Sequence, residues 1–410
     1  MEIRKNETIA LVSLGCAKNA VDLQVIAGGL VKRGAVLSPD PDRADIAIVN
    51  TCAFIESARE ESETEIRRAL ELKRRGQYGK VVVTGCYPQR YPEAVAMFPG
   101  VDGWKGVPDK WDEQAVPGLR LTGKAFAYLK IAEGCAHRCS YCAIPAIRGR
   151  FRSRPAESIL KEARALVKTG CRELNIIAQD PMLWHEGGMK LHDLLREIDS
   201  IRGDFWVRVL YSYPSEITLG FVKWMTTSPH AVRYVDVPLQ HTVPEVLERM
   251  NRGGAVEASL AASDSLRDFV PGVTIRTTIL VGFPGETESR FRHLLADLKR
   301  MQFDHLGAFA YSPEEGTAGA SMRPRPSRAV ALRREKEVMD LAKDIWRAKS
   351  RRMIGQTFKA LVVAPGVARL ESQGPDVDGV THVDAGDVGE FVRVRLVSRR
   401  GFDFVGEVVR

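Results

Sequence analysis

Short β-branched runs alternate with helix-length amphipathic stretches along most of this chain, and that alternation restricts the fold more than any other feature. The runs at residues 9–14, 46–50 and 81–84 carry the pattern of βαβ units on a parallel sheet. Between the second and third, residues 56–75 are rich in Glu at the start and Lys/Arg at the end, and stop at Gly76. That charge order suits the helix macrodipole, and glycine suits the helix end. A first domain is expected over residues 1–120, with residues 116–123 as linker. The alternation then restarts, with strands expected at 128–131, 173–178, 205–211, 234–239, 274–281 and 305–311. Helices fall between them, among them 155–168 and 288–301. Six strands with crossover helices predict a partial βα barrel, because a complete one needs eight repeats. A Pro-rich stretch at 313–326 breaks the pattern, and a basic helix is expected over 328–352.

The tail changes character. Residues 358–363, 369–371, 390–397 and 404–409 read as short strands between Gly, Pro and Asp turns. They predict a small antiparallel barrel. The expected fold class is therefore α/β, with a parallel-sheet domain (1–120), a partial (βα)6 barrel domain (121–352) and a small β-barrel domain (353–410). A length of 410 residues agrees with several domains. The chain has 60 Lys+Arg against 52 Asp+Glu, a formal charge of +8, which leans towards polyanionic partners without selecting one. Seven cysteines exclude a fully paired disulfide framework and favour a reducing compartment. The polar first eight residues lack a signal-peptide core, and the chain is expected in the cytoplasm with no membrane partner.

The cysteines are not scattered. Cys16, Cys52 and Cys86 each follow one of the first three strands, in Ser-Leu-Gly-Cys, Val-Asn-Thr-Cys and Val-Thr-Gly-Cys. In a parallel sheet the strand C-termini gather along one edge, where such sheets bind ligands, so cysteines 36 and 34 residues apart are expected as neighbours. Three thiols suit a thiolate-ligated metal or iron–sulfur cluster. The alternative is three packed thiols. Zinc is a weaker competitor: a structural zinc closes with four ligands, and no fourth Cys or His lies nearby.

A second triplet, Cys135, Cys139 and Cys142, lies in one loop at spacings of four and three. Such a loop can wrap a cubane while leaving one iron open; His137 inside it reads as a solvated or outer residue. The spacing Cys-x-x-x-Cys-x-Tyr-Cys resembles the radical S-adenosylmethionine superfamily, with Tyr141 as its aromatic, and that superfamily's usual partial βα barrel matches the six strands. The resemblance implies a 4Fe-4S cluster whose open iron binds S-adenosyl-L-methionine. Rim residues after other strands then become candidate cofactor contacts: Gln179 and Asp180, Gln240 next to His241, and Gly282, Gly285 and Glu286. The competing reading of the last group is a capped turn in front of the next helix. Cys171 reads as a packed thiol.

Two triplets on successive domains followed by a small barrel resemble the methylthiotransferase family over nearly the whole chain, its last domain being a TRAM domain. Residues 13–19 (SLGCAKN), 50–56 (NTCAFIE), 238–241 (PLQH) and 311–317 (YSPEEGT) look like the branch acting on an aspartate of ribosomal protein S twelve rather than the branch acting on tRNA adenosine. Ala17 stands where that branch more often has Pro, and residues 181–184 (PMLW) replace its usual Thr-Thr-x-Tyr. The resemblance implies two 4Fe-4S clusters, one on Cys16, Cys52 and Cys86 for sulfur delivery, one on Cys135, Cys139 and Cys142 for radical generation. It further implies that one S-adenosylmethionine supplies methyl and a second the radical that takes hydrogen from the β-carbon, a position no side-chain base deprotonates at neutral pH. No polar acid or base is therefore assigned. Expected partners are ribosomal protein S twelve or the small subunit, a reductant protein, and RNA at the tail barrel, where Arg393, Arg395, Arg399 and Arg400 lack the aromatic row that stacks bases. Arg148, Arg150, Arg152 and Arg154, at two-residue spacing, would share one side of an extended strand, for substrate contact or as a solvated loop. The basic helix reads as an ion-paired face. The readings set against this one are a tRNA adenosine methylthiotransferase and a non-catalytic metal-containing RNA-binding protein.

Overall fold

A computed structural model describes residues 3–108, 119–252 and 266–409. Most of the expected 116–123 linker lies outside the described residues. Contacts divide the chain into two compact units: Met1–Leu121 with Glu133–His137 and Cys142–Arg152, and Thr122–Ala132 with Arg138–Tyr141 and Ser153–Arg410.

The first unit is built on strands β1 (Thr8–Ser13), β2 (Val36–Leu37), β3 (Ala44–Thr51), β4 (Tyr78–Gly85) and β5 (Gly103–Trp104), in the order β2-β1-β3-β4-β5. All pairs are parallel. The expected three strands form the centre, and the two-residue edge strands β2 and β5 are additions too short to leave a periodic trace. Pleating sends successive residues of β3 to opposite faces. Ile46 and Ile48 pack with Ile9, Leu23 and Leu30; Ala47 and Val49 pack with Val81, Val83, Ile66 and Phe98. Both faces are buried, as a parallel sheet requires. Helices α1 (Ala17–Val31), α2 (Glu56–Arg74) and α3 (Cys86–Arg90) follow β1, β3 and β4. A short helix from far along the chain, α4 (Ile144–Arg148), joins this core through Ala143 and Ile147.

The second unit holds six parallel strands, β6 (Phe126–Lys130), β7 (Glu173–Ile177), β8 (Trp206–Val209), β9 (Ala231–Asp236), β10 (Thr274–Val281) and β11 (His305–Ala310), in strict sequence order. This is the expected open six-strand barrel sheet. The basic helix spans Arg328–Met353 and its exposed face is ion-paired, with Arg333 on Glu337, Lys336 on Asp340 and Arg347 on Asp344.

The tail forms a closed barrel of β12 (Thr357–Ala364), β13 (Val367–Leu370), β14 (Thr381–Val383), β15 (Phe391–Arg400) and β16 (Asp403–Val409). It is not wholly antiparallel: β14 pairs parallel to β16, and this three-residue strand carried no sequence signal. The connection from β13 to β14 caps the N-terminal ends of the six-strand sheet. Tyr128 donates to Asp376 at 2.5 Å, Tyr234 and Arg276 donate to Asp378 at 2.7 and 2.6 Å, and Arg208 donates to the Glu371 carbonyl at 2.8 Å. Beneath it, Glu173 is fully buried between Arg208 and Arg369. Removing one partner of such a set leaves uncompensated buried charge, which typically costs about 3–5 kcal/mol. Glu173→Gln is accordingly expected to lower the unfolding midpoint in guanidinium, while the exposed-pair control Lys336→Gln leaves it within error.

Candidate metal centres

The three strand-end cysteines lie along one edge of the sheet, as the topology requires. Each lies just beyond β1, β3 or β4, and the thiols fall within electrostatic reach of one another. Burial pushes Cys52 up, with a further push from Cys16. Burial pushes Cys86 up to about 12, and Cys52 and Cys16 add to that while Arg148 opposes it. Cys16 is exposed, Cys52 and Cys86 are buried, and none is in a disulfide.

A polar lattice holds the three turns together. Asn19, fully buried in the first turn of α1, donates to the carbonyls of Leu14 (3.1 Å) and Thr51 (2.9 Å) and accepts from the Cys86 thiol at 3.5 Å. Thr51 donates to the Thr84 carbonyl, and the Cys52 backbone N–H donates to Ser62. Gly85, at φ +99°, could carry no side chain: a Cβ there would lie 2.5 Å from the Thr51 carbonyl. Tight turns thus hold the sulfurs within electrostatic reach of one another.

The donor chemistry fits an iron–sulfur cluster. A buried thiol at about 12 stays protonated and inert at neutral pH, and metal coordination is what makes it a thiolate. Among the described residues no group of three or more His, Cys, Asp or Glu side chains is placed to hold one metal ion. In a cubane each cysteine binds its own iron.

The spacing treats Arg148 as one of four alternate arginines, for substrate contact or as a solvated loop, and here the structure corrects the sequence reading. The four alternate arginines do not line one side of a strand. Arg148 ends α4 with its side chain 1% exposed; Arg150 and Arg152 are exposed; Arg154 is buried against Ser158 and Glu162. The Arg148 guanidinium donates to Glu133 at 3.0 and 3.1 Å, Asn19 at 2.6 Å, Asp22 at 2.9 Å and the Cys86 sulfur at 3.5 Å. Burial opposes its charge, but Asp22, Cys86, Glu133 and Cys16 outweigh that and hold it protonated.

The second triplet sits in the loop after β6. Gly134, at φ +74°, is obligatory: a Cβ would lie 2.2 Å from the Arg150 carbonyl. The Cys135 N–H donates to the Gly149 carbonyl, and the Cys142 sulfur accepts from the Ile144 N–H at 3.4 Å. In the second unit, the Cys139 sulfur accepts from Arg252 at 3.7 Å. Arg252, 5% exposed, also donates to the Tyr141 hydroxyl at 3.4 Å and lies 4.1 Å from the Tyr213 ring centroid. Tyr141 meets Phe283 edge-on. Ser140 is pinned between Met250 and Gly319 through backbone bonds. None of the three cysteines is in a disulfide and all are part-exposed, which suits ligands that must face a small molecule.

The rim candidates divide. Gln240 follows β9 at φ +69° and bridges to Ile279, a strained conformation for a non-glycine residue of the kind that clusters at functional sites. Gln179 lies just beyond β7, half-buried. Asp180 instead caps the short turn Pro181–Leu183 by accepting from the Met182 N–H, and Trp184 is buried with its indole on the Arg154 carbonyl; the unusual PMLW segment packs locally. Gly282 and Gly285 answer to packing, since Cβ atoms would lie 2.4 Å from Ala331 and 2.6 Å from Arg249. Glu286 is buried, accepting from the Gly282 N–H at 2.6 Å and from Arg334 at 2.9 Å; burial pushes its carboxyl up to about 7 against the pull of Arg334. Thr287 caps the following helix. Local capping and packing thus fix the conformation at Asp180, Gly282, Gly285 and Glu286. His241, completely buried and pushed by burial down to about 3, is a neutral imidazole at any physiological pH. Cys171 is a packed thiol donating to the Glu173 carbonyl.

Comparison with known proteins agrees with this layout. Residues 8–106 match uncharacterized protein family UPF0004, 129–298 the radical SAM superfamily and 354–409 the TRAM domain. The chain is 37% identical over 442 residues to the ribosomal protein uS12 methylthiotransferase RimO of Desulfitobacterium hafniense, covering 99% of both chains. It is 40% identical over 430 residues to the protein of the same name from Moorella thermoacetica, covering 98% of this chain and 99% of that one. Among solved structures, the radical S-adenosylmethionine methyltransferase TsrM from Kitasatospora setae is 18% identical with a TM-score of 0.57, over 74% of this chain and 72% of that one. The cobalamin-dependent radical enzyme OxsB gives 0.52 at 12% identity, over 82% and 56%. The last two likenesses are of fold. Full-length identity near 40%, three matched domains in the expected order and two cysteine triplets at their sequence-expected places together establish that the chain belongs to the RimO-type methylthiotransferases, radical S-adenosylmethionine enzymes with a TRAM domain.

Proposed function

We propose that this enzyme adds a methylthio group to the β-carbon of an aspartate in ribosomal protein uS12, in the cytoplasm, using three functional domains at about 1–120, 121–352 and 353–410. Cys16, Cys52 and Cys86 would hold one 4Fe-4S cluster, and Cys135, Cys139 and Cys142 a second with S-adenosylmethionine at its open iron. The observation that carries this reading is the placement of three cysteines, none in a disulfide and all within electrostatic reach of one another, just beyond three strands of one sheet, alongside a separate cysteine loop of radical-enzyme spacing. Bound cofactor and reduced cluster supply homolytic chemistry, the kind an unactivated C–H bond demands.

The chain's own groups hold and shield. Asn19 and the Thr51–Thr84 bond fix the turns that present the first three sulfurs. Arg252 and Tyr141 flank Cys139, and Gln240 and Gln179 remain the rim side chains favoured for S-adenosylmethionine. The TRAM barrel, anchored on the sheet's N-terminal ends, would present Arg393, Arg395, Arg399 and Arg400 to uS12 or its neighbouring RNA; Arg395 already shares its charge with Glu407.

Anaerobically reconstituted, reduced protein should add about 46 mass units, one CH3S replacing H, to uS12 or to the small subunit, and leave tRNA unchanged. Mass gain on tRNA adenosine alone overturns the substrate. Stoichiometric zinc with no iron overturns the radical chemistry in favour of a metal-containing binding protein.

A further inference from the structure

We propose that Arg148 is the positioning residue of the N-terminal cluster: it orients the Cys86 ligand and, through one N–H···S bond and its buried charge, sets that cluster's reduction potential. The inference rests on the assignment of Cys16, Cys52 and Cys86 as cluster ligands and goes beyond it.

Four features of the first unit carry it. The guanidinium is 1% exposed, so solvent does not screen its charge. Its Nη2 is shared between the Cys86 sulfur, Asn19 and Asp22, while Nη1 reaches both carboxylate oxygens of Glu133. A planar guanidinium held at both terminal nitrogens by these partners has little freedom to turn. Finally, Asn19, which accepts from Arg148, also ties the turns behind Cys16 and Cys52. One cation therefore touches a ligand sulfur directly and braces the other two turns through a single amide.

Hydrogen bonds to ligand sulfur and nearby charge are the protein's levers on cluster potential. A donor and a cation favour the reduced form, which carries one more negative charge, and raise the potential. Asp22 and Glu133 face the same guanidinium and act the other way. Full neutralisation of either carboxylate frees Arg148 charge for the cluster. Arginine is required rather than lysine because a single ammonium cannot serve Glu133, Asp22, Asn19 and a sulfur at once.

The test uses the full-length chain with Cys135, Cys139 and Cys142 all changed to Ala, so that the N-terminal cluster alone is present. Its one-electron couple is titrated with dithionite and redox mediators and read by electron paramagnetic resonance, beside iron content. Arg148→Gln is expected to move the midpoint to more negative potential, Arg148→Lys by less, and Asp22→Asn to more positive potential. Opposite shifts from the two sides of one ion pair are what an electrostatic role produces and a merely structural one does not. Unchanged midpoints in iron-loaded variants overturn the proposal and leave the ligand assignment standing. If Arg148→Gln takes up no iron, Arg148→Lys and Asp22→Asn decide it; iron loss in both of these also overturns it, making the network a folding requirement. Failure of the parent to bind about four irons overturns the ligand assignment itself.

Discussion

Cys139→Ala should abolish formation of 5′-deoxyadenosine from S-adenosylmethionine while leaving roughly half the iron, about four of an expected eight per chain for two cubanes. The loss should be complete within detection, because a three-cysteine loop has no spare ligand. The residue sits where substitution does little else. Cys139 is part-exposed, its neighbour Ser140 donates its N–H to the Met250 carbonyl, the Arg138 carbonyl accepts from the Asn251 side-chain amide, and the Cys139 sulfur accepts one long bond from Arg252. Arg252 keeps its bond to the Pro238 carbonyl and its place on Tyr213. The fold should survive, so circular dichroism and the unfolding transition should match those of the parent. Undiminished cleavage of S-adenosylmethionine by a folded variant would show that the loop does not hold the radical-generating cluster.

What the sequence made legible follows from the length of each signal. Six strands and the helix at Glu288–Met301 repeat a period over many residues, and they stand where the pattern put them. The strands at 36–37, 103–104 and 381–383 are too short for any period, and their pairing is set by neighbours distant in the chain. The same distinction separates the site residues. Cysteines betray themselves by type and by their place at strand ends. Arg148 does not: its partners Asn19, Asp22 and Cys86 precede it by 62 to 129 residues, and its two-residue spacing from Arg150 pointed to a strand where a five-residue helix ends instead. Gly282 and Gly285 carry a second meaning. A glycine after a strand reads as room for a ligand, and here the space a Cβ would need is also taken by Ala331 and Arg249, which only the packed helices reveal. The barrel-closing segment 371–378 was equally silent, since its acceptors serve donors on strands up to 248 residues away.

Cys86→Ala should have the complementary effect to Cys139→Ala: 5′-deoxyadenosine continues to form, and methylthio product disappears. The division follows from where each sulfur lies. Cys86 begins α3 at the end of β4 in the first unit, and the loop that includes Cys139 follows β6. Structural damage should be small. Arg148 would lose its contact with the Cys86 sulfur and keep its bonds to Glu133, Asn19 and Asp22, so the buried charge stays compensated. Asn19 would lose one weak thiol donor and keep its bonds to Leu14 and Thr51. Removing a buried sulfur leaves a cavity smaller than a lost Leu side chain would, with a stability cost of order 1–2 kcal/mol, too little to unfold a sheet buried on both faces. Substrate radical formed without a sulfur source should then be quenched, leaving uS12 at its original mass while S-adenosylmethionine is consumed. Methylthio-uS12 at the parent's rate from the Cys86→Ala protein, with its iron reduced to about four, would place sulfur delivery elsewhere than the strand-end triplet. Loss of both products together would instead show that S-adenosylmethionine cleavage depends on the first cluster, and the two triplets would then be one coupled centre rather than two with separate tasks.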